Sequence, residues 1–426
     1  MKKLKELAQD KSGVIIVMFA LMLPILLGAI GLAVEVGFWF QSRRGLQSAA
    51  DAAAIAAAYT IWDGSTEAEA YDDAEREANR NWDGDDFTTT TFDPDIIPPT
   101  SGAYTADSSA VEVELTASSP LMFIDYLMSV SAITLNARAV AALGTKSEAC
   151  VLTLKTTGTA MTVSSTVNLA GCSVAVNSSD AAALKTSGTG DLTTECISVV
   201  GDTSEVGGSS INTTCSDPAT NAHATSDPYA DLTMPADYVP GDCDYNNFST
   251  GSDGQVISPG NYCNGLTIQN TGVIMSSGEY FIYKGQFKVN AGASVTGDGV
   301  TIFMTGTGAQ YADVQINGGA SVTLTAQTTS AVYGDTYAGI LFFQDPDTPT
   351  AGSNDQTFNG GTTLDLTGAL YFPSGNVIIN GGSSMDSTCI QVVAYTAAVS
   401  GDAAWDNDCA MFGDNVITID EVKLVE

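Results

Sequence analysis

The chain has 426 residues, more than one ordinary domain holds. With 49 Asp and Glu against 15 Lys and Arg its net charge is −34, which excludes the phosphate neutralisation that nucleic-acid binding needs. Its 44% hydrophobic content separates it from acidic disordered chains, and with a single histidine any His-dependent catalytic triad would have to use His223.

The charge is uneven. The first 60 residues carry six basic residues (Lys2, Lys3, Lys5, Lys11, Arg43, Arg44) and four acidic ones, leaving a net of −36 on the rest. Val14 to Val34 is an uncharged apolar run that spans ~31 Å as a helix, about the thickness of a bilayer core. It exceeds the ~7–15 residues of a signal-peptide core, so a retained transmembrane helix is expected. Four Lys before it and two Arg after it place the N-terminus in the cytoplasm and the acidic body outside. Pro24 should kink the span. Ala29, Ala33 and Gly37 form a small-residue stripe along which a second helix could pack, although small residues are common in membrane helices anyway. Glu35, near the outer interface, either pairs with a partner helix or reaches headgroup water.

The Ala-rich stretch Gln41 to Ala58 continues the helix until Asp63-Gly64 stops it. Thr66 with Glu69 makes a capping box for a second helix to about Asn79. A polar stretch follows. Ala110 to Ala117 alternates as a half-buried strand, Ser119-Pro120 opens a helix over Leu121 to Met128, and Ile133 to Leu143 reads as a returning strand. The expected domains are a transmembrane anchor with its helical extension (1–62), a small membrane-proximal α+β module (63–145) and a large all-β C-terminal domain (146–426).

In that last domain Asn290-Ala-Gly-Ala-Ser-Val295 returns at Asn317, Asn359 and Asn380, with a weaker copy at Asn270. Most offsets are one or two multiples of about 21 residues, which predicts a right-handed parallel β-helix (solenoid) with each rung stacked on the next, Gly and Asn at the corners and Asn amides bonded along the stack. The competing fold is a pair of β-sandwiches. All eight cysteines fall here, at 150, 172, 196, 215, 243, 263, 389 and 409, without a C-x-x-C pair. Spacings of 19 to 24 residues suit neighbouring rungs: Cys150 with Cys172, Cys196 with Cys215, Cys243 with Cys263 and Cys389 with Cys409, the rival being Cys172 with Cys196. The 63–145 module and the last strand, Asn415 to Val425, are candidate end caps.

Hydrolase, zincin, P-loop and dinucleotide signatures are absent from the sequence. Asp345 and Asp347, with Asp355 and Asp365, are the best candidate pocket, the alternative being a solvated face. The same carboxylates could bind Ca²⁺, without the spacing of a known calcium loop. His223 lies in a polar loop and is expected at the surface.

The stem resembles the N-terminal domain of TadG-like proteins of the bacterial tight-adherence (Tad/Flp pilus) assembly family. The matching residues are Gly13, Leu23-Pro24, Gly31-Leu-Ala-Val-Glu-Val-Gly37, Leu46-Gln47 and Ala49-Ala50-Asp51-Ala-Ala-Ala54. The family usually has Asp at the place of Glu35. The 111–143 segment looks like the family's membrane-proximal part, and stretches such as CSVAVNSS and GALYFPSG resemble its Gly-rich C-terminal region. TadG proper carries a von Willebrand A domain with a D-x-S-x-S metal site; no such motif occurs here, and the repeats stand in its place. Met18 occupies the position where prepilin-type processing after Gly13 wants Glu, so no processing is expected. The resemblance implies a non-catalytic, single-pass bacterial inner-membrane protein with no cofactor. The bulk of its chain would be periplasmic or at the cell surface, partnered by pilus or secretion assembly proteins or by itself through the N-terminal helix. The alternative is a membrane-tethered β-helix that binds or cleaves polysaccharide.

Overall fold

Alanine lets a helix lie close to a sheet while keeping the highest helix propensity, and alanines build the first unit. The computed structural model describes residues 12–426 apart from 63–64, 83–86, 92–98, 106, 108, 122, 144–146, 170, 216–217, 309, 351–353, 360–362, 381–384, 388, 401–402, 406–415 and 420–421. Lys2, Lys3, Lys5, Lys11, Asp63, Gly64, Cys409 and Asn415 therefore lie outside the described residues. The chain divides into two compact units, Met1–Thr145 with Glu421–Glu426, and Lys146–Asp420. The last six residues, expected in the all-β domain, thus belong to the first unit.

Helix α1, Ser12–Trp62, is continuous through Pro24, so the span and the Ala-rich stretch form one element. Its first half exposes Phe19, Leu21, Ile25, Leu27 and Ile30. Its second half buries Leu46, Ala49, Ala50, Ala53, Ala54 and Ala57 against helix α2, Glu67–Asn81, and a sheet. The capping box at Thr66 and Glu69 opens α2, which adds Ala70, Ala74 and Ala78 to the core. The sheet is antiparallel: β1 (Phe87–Thr91), β2 (Ala110–Pro120), β3 (Ala132–Leu143) and Val422–Leu424, with the short helix α3 (Phe123–Met128) between β2 and β3. Of these strands β1 was not expected, and Val422–Leu424, part of the expected last strand, joins this sheet instead of the all-β domain. A boundary at residue 62 also divides a single core, because the second half of α1 is the central layer of the module.

Arg138 on β3 holds the C-terminal residue in this unit. Its guanidinium bonds Glu112 on β2, Glu426 at 2.6 Å and the Ser101 carbonyl at 2.6 Å. Burial of Glu112 opposes its ionisation, but donation from Thr100 and Arg138 outweighs it and holds the carboxyl below its ordinary pKa.

The second unit is almost wholly parallel strands. One ladder runs in space through Tyr245–Ser249, Gly260–Ile268, Gly278–Tyr283, Val300–Thr307, Ile340–Gln344, Thr363–Asn380 and Ile390–Val399. It then passes to β4 (Ser147–Thr153), Ser173–Val176, Ile197–Val199 and Ala219–Thr220. A second ladder follows the same order through Gln286–Val289, Asp313–Ile316 and Asp355–Asn359, and beyond Ile390–Val399 through Met161–Val163, Leu184–Ser187 and Thr203–Val206. A third carries Val256–Ile257, Val273–Met275, Ser294–Asp298, Ser321–Thr325 and the start of Thr363–Asn380.

The repeat motif has a clear role in this packing. Val273, Val295, Val322 and Leu364 are consecutive register partners and are all buried. Burying each such side chain is worth about 1.5–3 kcal/mol. The turns belong to glycine: Gly272, Gly292 and Gly319, two residues beyond the motif Asn, have positive φ, whereas Asn270, Asn290 and Asn317 do not. The expectation that the corner Asn share the left-handed turn is corrected accordingly. The side-chain ladder occurs where registers align, as Asn380 Nδ2 donates to Asn359 Oδ1 at 3.1 Å, Ser400 Oγ to Asn380 Oδ1 at 2.6 Å, and Thr250 Oγ1 to Asn270 Oδ1 at 2.9 Å.

Sequential stacking from 146 onward does not hold. β4 lies mid-ladder, between Ile390–Val399 and Ser173–Val176. Rungs from 147 to 220 extend one way, and those from 245 to 399 approach from the other. Residues 221–244 make the return. Within them Thr225 pairs with the Asn177 side chain, the buried Tyr229 accepts from Gln391, Tyr337 donates to the Thr233 carbonyl, and Tyr238 stacks on Phe281. The last strand is no end cap: Ile417–Ile419 pairs antiparallel with β4.

Disulfides join Cys150 to Cys172, Cys196 to Cys215 and Cys243 to Cys263, with Cα–Cα distances of 5.6, 5.6 and 5.7 Å. Cys389 is also disulfide-bonded. His223 is exposed on the returning segment.

Two consequences can be measured by unfolding the full chain. Replacing Ala54 by Leu overfills the α1–sheet contact and should cost about 1–3 kcal/mol; a neutral effect would contradict the close approach. Asp227, bonded to the Tyr229 amide and the Tyr371 hydroxyl, has its pKa raised, chiefly by burial. A raised carboxyl binds its proton more tightly in the fold than in the unfolded chain, so the penalty of charging it is present above the folded pKa and fades as pH falls through it. Asp227→Asn should therefore stabilise at neutral pH and lose that advantage at acid pH. Equal effects at both pH values would refute this.

Candidate functional site

In the first unit, α1 places Gly28, Gly31, Glu35 and Trp39 on one face by their spacing of three and four. The N-terminus of α3 meets that face. Its first amides have no partner within their own helix. Glu35, 8% exposed, takes two of them: Phe123 N donates to Oε1 at 3.1 Å and Ile124 N to Oε2 at 2.9 Å. Neither expected role for Glu35, a partner helix or headgroup water, matches this; the carboxylate is an internal cap that joins α1 to α3. Gly31 is needed for the approach, because a Cβ there would stand 2.7 Å from the Phe123 ring. Beside the contact is a mostly apolar cavity of about 240 Å³, lined by Val34, Phe38, Trp39, Pro120 and Leu121 among others.

The other helix face is open. Ala29, Ala33 and Gly37 are exposed, and nothing lies within 4 Å of a Cβ built on Gly37. The structure therefore separates Glu35 from the three small residues grouped with it. Gln47 has a similar internal role, donating to the Arg138 carbonyl and to Asp51, each at 2.8 Å.

In the second unit, the four aspartates do not come together. Asp355 accepts from Asn376 at 3.0 Å, and Asp365 is paired with Thr323 on the third ladder. Asp345 and Asp347 line a cavity of about 430 Å³. Its other walls come from the returning segment (Thr233, Met234, Pro235, Tyr238, Pro240) and from Thr305, Gly306, Thr307 and Tyr311. Asp345 is fixed by Thr305 Oγ1, which donates to Oδ2 at 2.6 Å, and by the Asp347 amide, which donates to Oδ1 at 3.0 Å. The Tyr311 hydroxyl donates to the Asp347 carbonyl at 3.2 Å. The Tyr238 hydroxyl is buried and has no hydrogen-bond partner. Burial raises the pKa of both tyrosines, and nearby Asp345 adds to it. Sequence reasoning missed Tyr238, Tyr311 and Thr305, which sit in no motif; Thr305 and Tyr311 reach the aspartates from the neighbouring rung and Tyr238 from the returning segment. Among the described residues no three of His, Cys, Asp and Glu stand close enough to hold a metal ion.

Comparison with known proteins bears on the N-terminal part. Residues 13–60 match the family model described as putative Flp pilus-assembly TadE/G-like. No curated protein and no solved structure matches the chain. The matched segment holds Gly31, Glu35, Leu46, Gln47 and the buried alanines, so it covers both the apolar half of α1 and the half that builds the core.

Removal of the Glu35 carboxylate leaves two amides uncapped. Glu35→Ala should cost about 1 kcal/mol locally and speed hydrogen exchange at Phe123 and Ile124 before other amides. Unchanged exchange at those two positions would contradict the cap.

Proposed function

We propose that this chain, TadE/G-like over residues 13–60, is a non-catalytic, single-pass membrane protein of Tad/Flp pilus assembly. The observation that carries the reading is the division of one continuous helix. Its first half is long and apolar enough to cross a membrane and leaves its apolar side chains exposed, while its second half is the core of a folded module. A helix exposing Phe19, Ile25 and Ile30 has a hydrocarbon bilayer as its natural solvent. Lysines ahead of the span support a cytoplasmic N-terminus, and eight cysteines in the acidic part support an oxidising compartment outside the inner membrane.

The parallel-stranded unit is read as a right-handed β-solenoid. Three ladders in common order and disulfides between residues 19 to 22 apart support it. Its role is structural or adhesive. Partners in the membrane, either other assembly proteins or a second copy, would pack on the open Ala29, Ala33 and Gly37 face, where small residues permit close backbone approach.

Pull-down of the full chain from detergent-solubilised membranes tests this. Pilus or secretion components should co-purify, and Ala33→Leu should reduce their recovery. Recovery of the chain from the soluble fraction, or from membranes with no such component, would overturn the proposal.

A further inference from the structure

The connection from β2 to β3 lies against α1 where the apolar run of that helix ends. Its base is closed by the Leu121 amide, which donates to the Ser131 carbonyl at 2.8 Å. It meets α1 at two levels. The Phe123 and Ile124 amides bond Glu35, one residue past the end of the uncharged run at Val34. The Phe123 ring reaches further, to 3.9 Å from where a Cβ on Gly28 would stand. At about 1.5 Å of rise per residue, Gly28 lies about 9 Å inside the end of that run. The ring is therefore level with Leu27 and Ile30, which are exposed.

The cavity of about 240 Å³ sits between these elements. It extends along α1 from Gly31 to Trp39, about 12 Å, and so straddles the end of the apolar run. Its lining joins the buried Leu121 to Val34 and Phe38, which are exposed like Leu27 and Ile30. Glu35 also lines it, with both carboxylate oxygens engaged by α3. We infer that this cavity is filled by an acyl chain of a phospholipid in the outer leaflet. The inference rests on the membrane reading proposed above. A void between apolar walls forfeits dispersion contacts, and water there finds few hydrogen-bonding partners. The apolar surface of α1 is continuous with the cavity at Val34 and Phe38, so the hydrocarbon that covers Ile30 also reaches Leu121. Phe38 and Trp39 stand just past the apolar run, at the level where aromatic side chains meet lipid headgroups. The exposed Asp125 belongs to the first turn of α3, which starts at the level of Glu35, so this acid stays near the headgroups.

The test uses the full chain in phosphatidylcholine vesicles. They contain a phosphatidylcholine with a photoactivatable diazirine in the upper half of one acyl chain, and labelled residues are mapped by mass spectrometry. Label at Leu27 and Ile30 reports insertion of α1, whereas Leu121, 7% exposed, is reached through the cavity. Both sets should be labelled. Ser119→Trp, which adds an indole to the lining, should abolish label at Leu121 and leave that at Ile30. Label at Ile30 without label at Leu121 would overturn the inference and leave the anchor standing. Equal label at Leu121 in Ser119→Trp and in the unaltered chain would also overturn it. Absence of label at all three residues would overturn the membrane reading and this inference together.

Discussion

A strand inside a parallel ladder needs hydrogen-bonding neighbours on both edges, and β4 is where the chain enters the second unit. Everything else in that unit follows from how its two edges are covered. The chain covers one at once, by stacking Ser173–Val176 and later rungs on it. The other edge waits for Ile390–Val399, so the chain must travel to the far end of the ladder and stack its way back. Residues 221–244 make that journey, and a bare loop could not, because it passes over apolar surface. Tyr229, Leu232, Met234 and Tyr238 turn it into part of a second hydrophobic cluster with Phe281, Phe303, Phe343 and Tyr371. The cavity with Asp345 and Asp347 lies along this segment, so it is a product of the return path.

The first unit answers a different requirement. A helix whose first half exposes apolar side chains and whose second half is the core of a folded module must change which residues it buries along its length. Alanine at closely spaced positions does this without interrupting helix propensity. Glu35 marks the transition: it is buried, and it accepts from two amides of α3.

Local features were legible in the sequence wherever the determinant was local. The capping box at Thr66, the alternation in 110–117, the helix from the apolar run into the alanines and the 19 to 22-residue disulfide spacings all depend on residues near each other in the chain. The repeat motif revealed parallel stacking, but a period carries no record of the order in which the rungs are stacked. Each rung presents nearly the same edge, so stacking from 147 onward and closure of 390–399 onto 147–153 obey the same local rules. Asn and Gly in the motif were read together, whereas the backbone assigns the turn to Gly272, Gly292 and Gly319. Glu35 was read from its depth along the helix, since its partners lie 88 and 89 residues away. Asp345 and Asp347 were found as a local acidic pair, but the tyrosines that make their surroundings a cavity could not be.

The two connections between the units leave the second one from β4 and from Ile417–Ile419, and these strands are hydrogen-bonded to each other. Force applied along the chain at either connection therefore first meets a strand of this pair, mid-ladder. Beyond the pair, β4 is joined in parallel to Ile390–Val399 and Ser173–Val176, whereas Tyr245–Ser249 and Ala219–Thr220 stand at the far ends of the ladder. The ends of the ladder, usually the first to fray, are thus the rungs farthest from where the chain enters, and β4, where it enters, is held by three other strands.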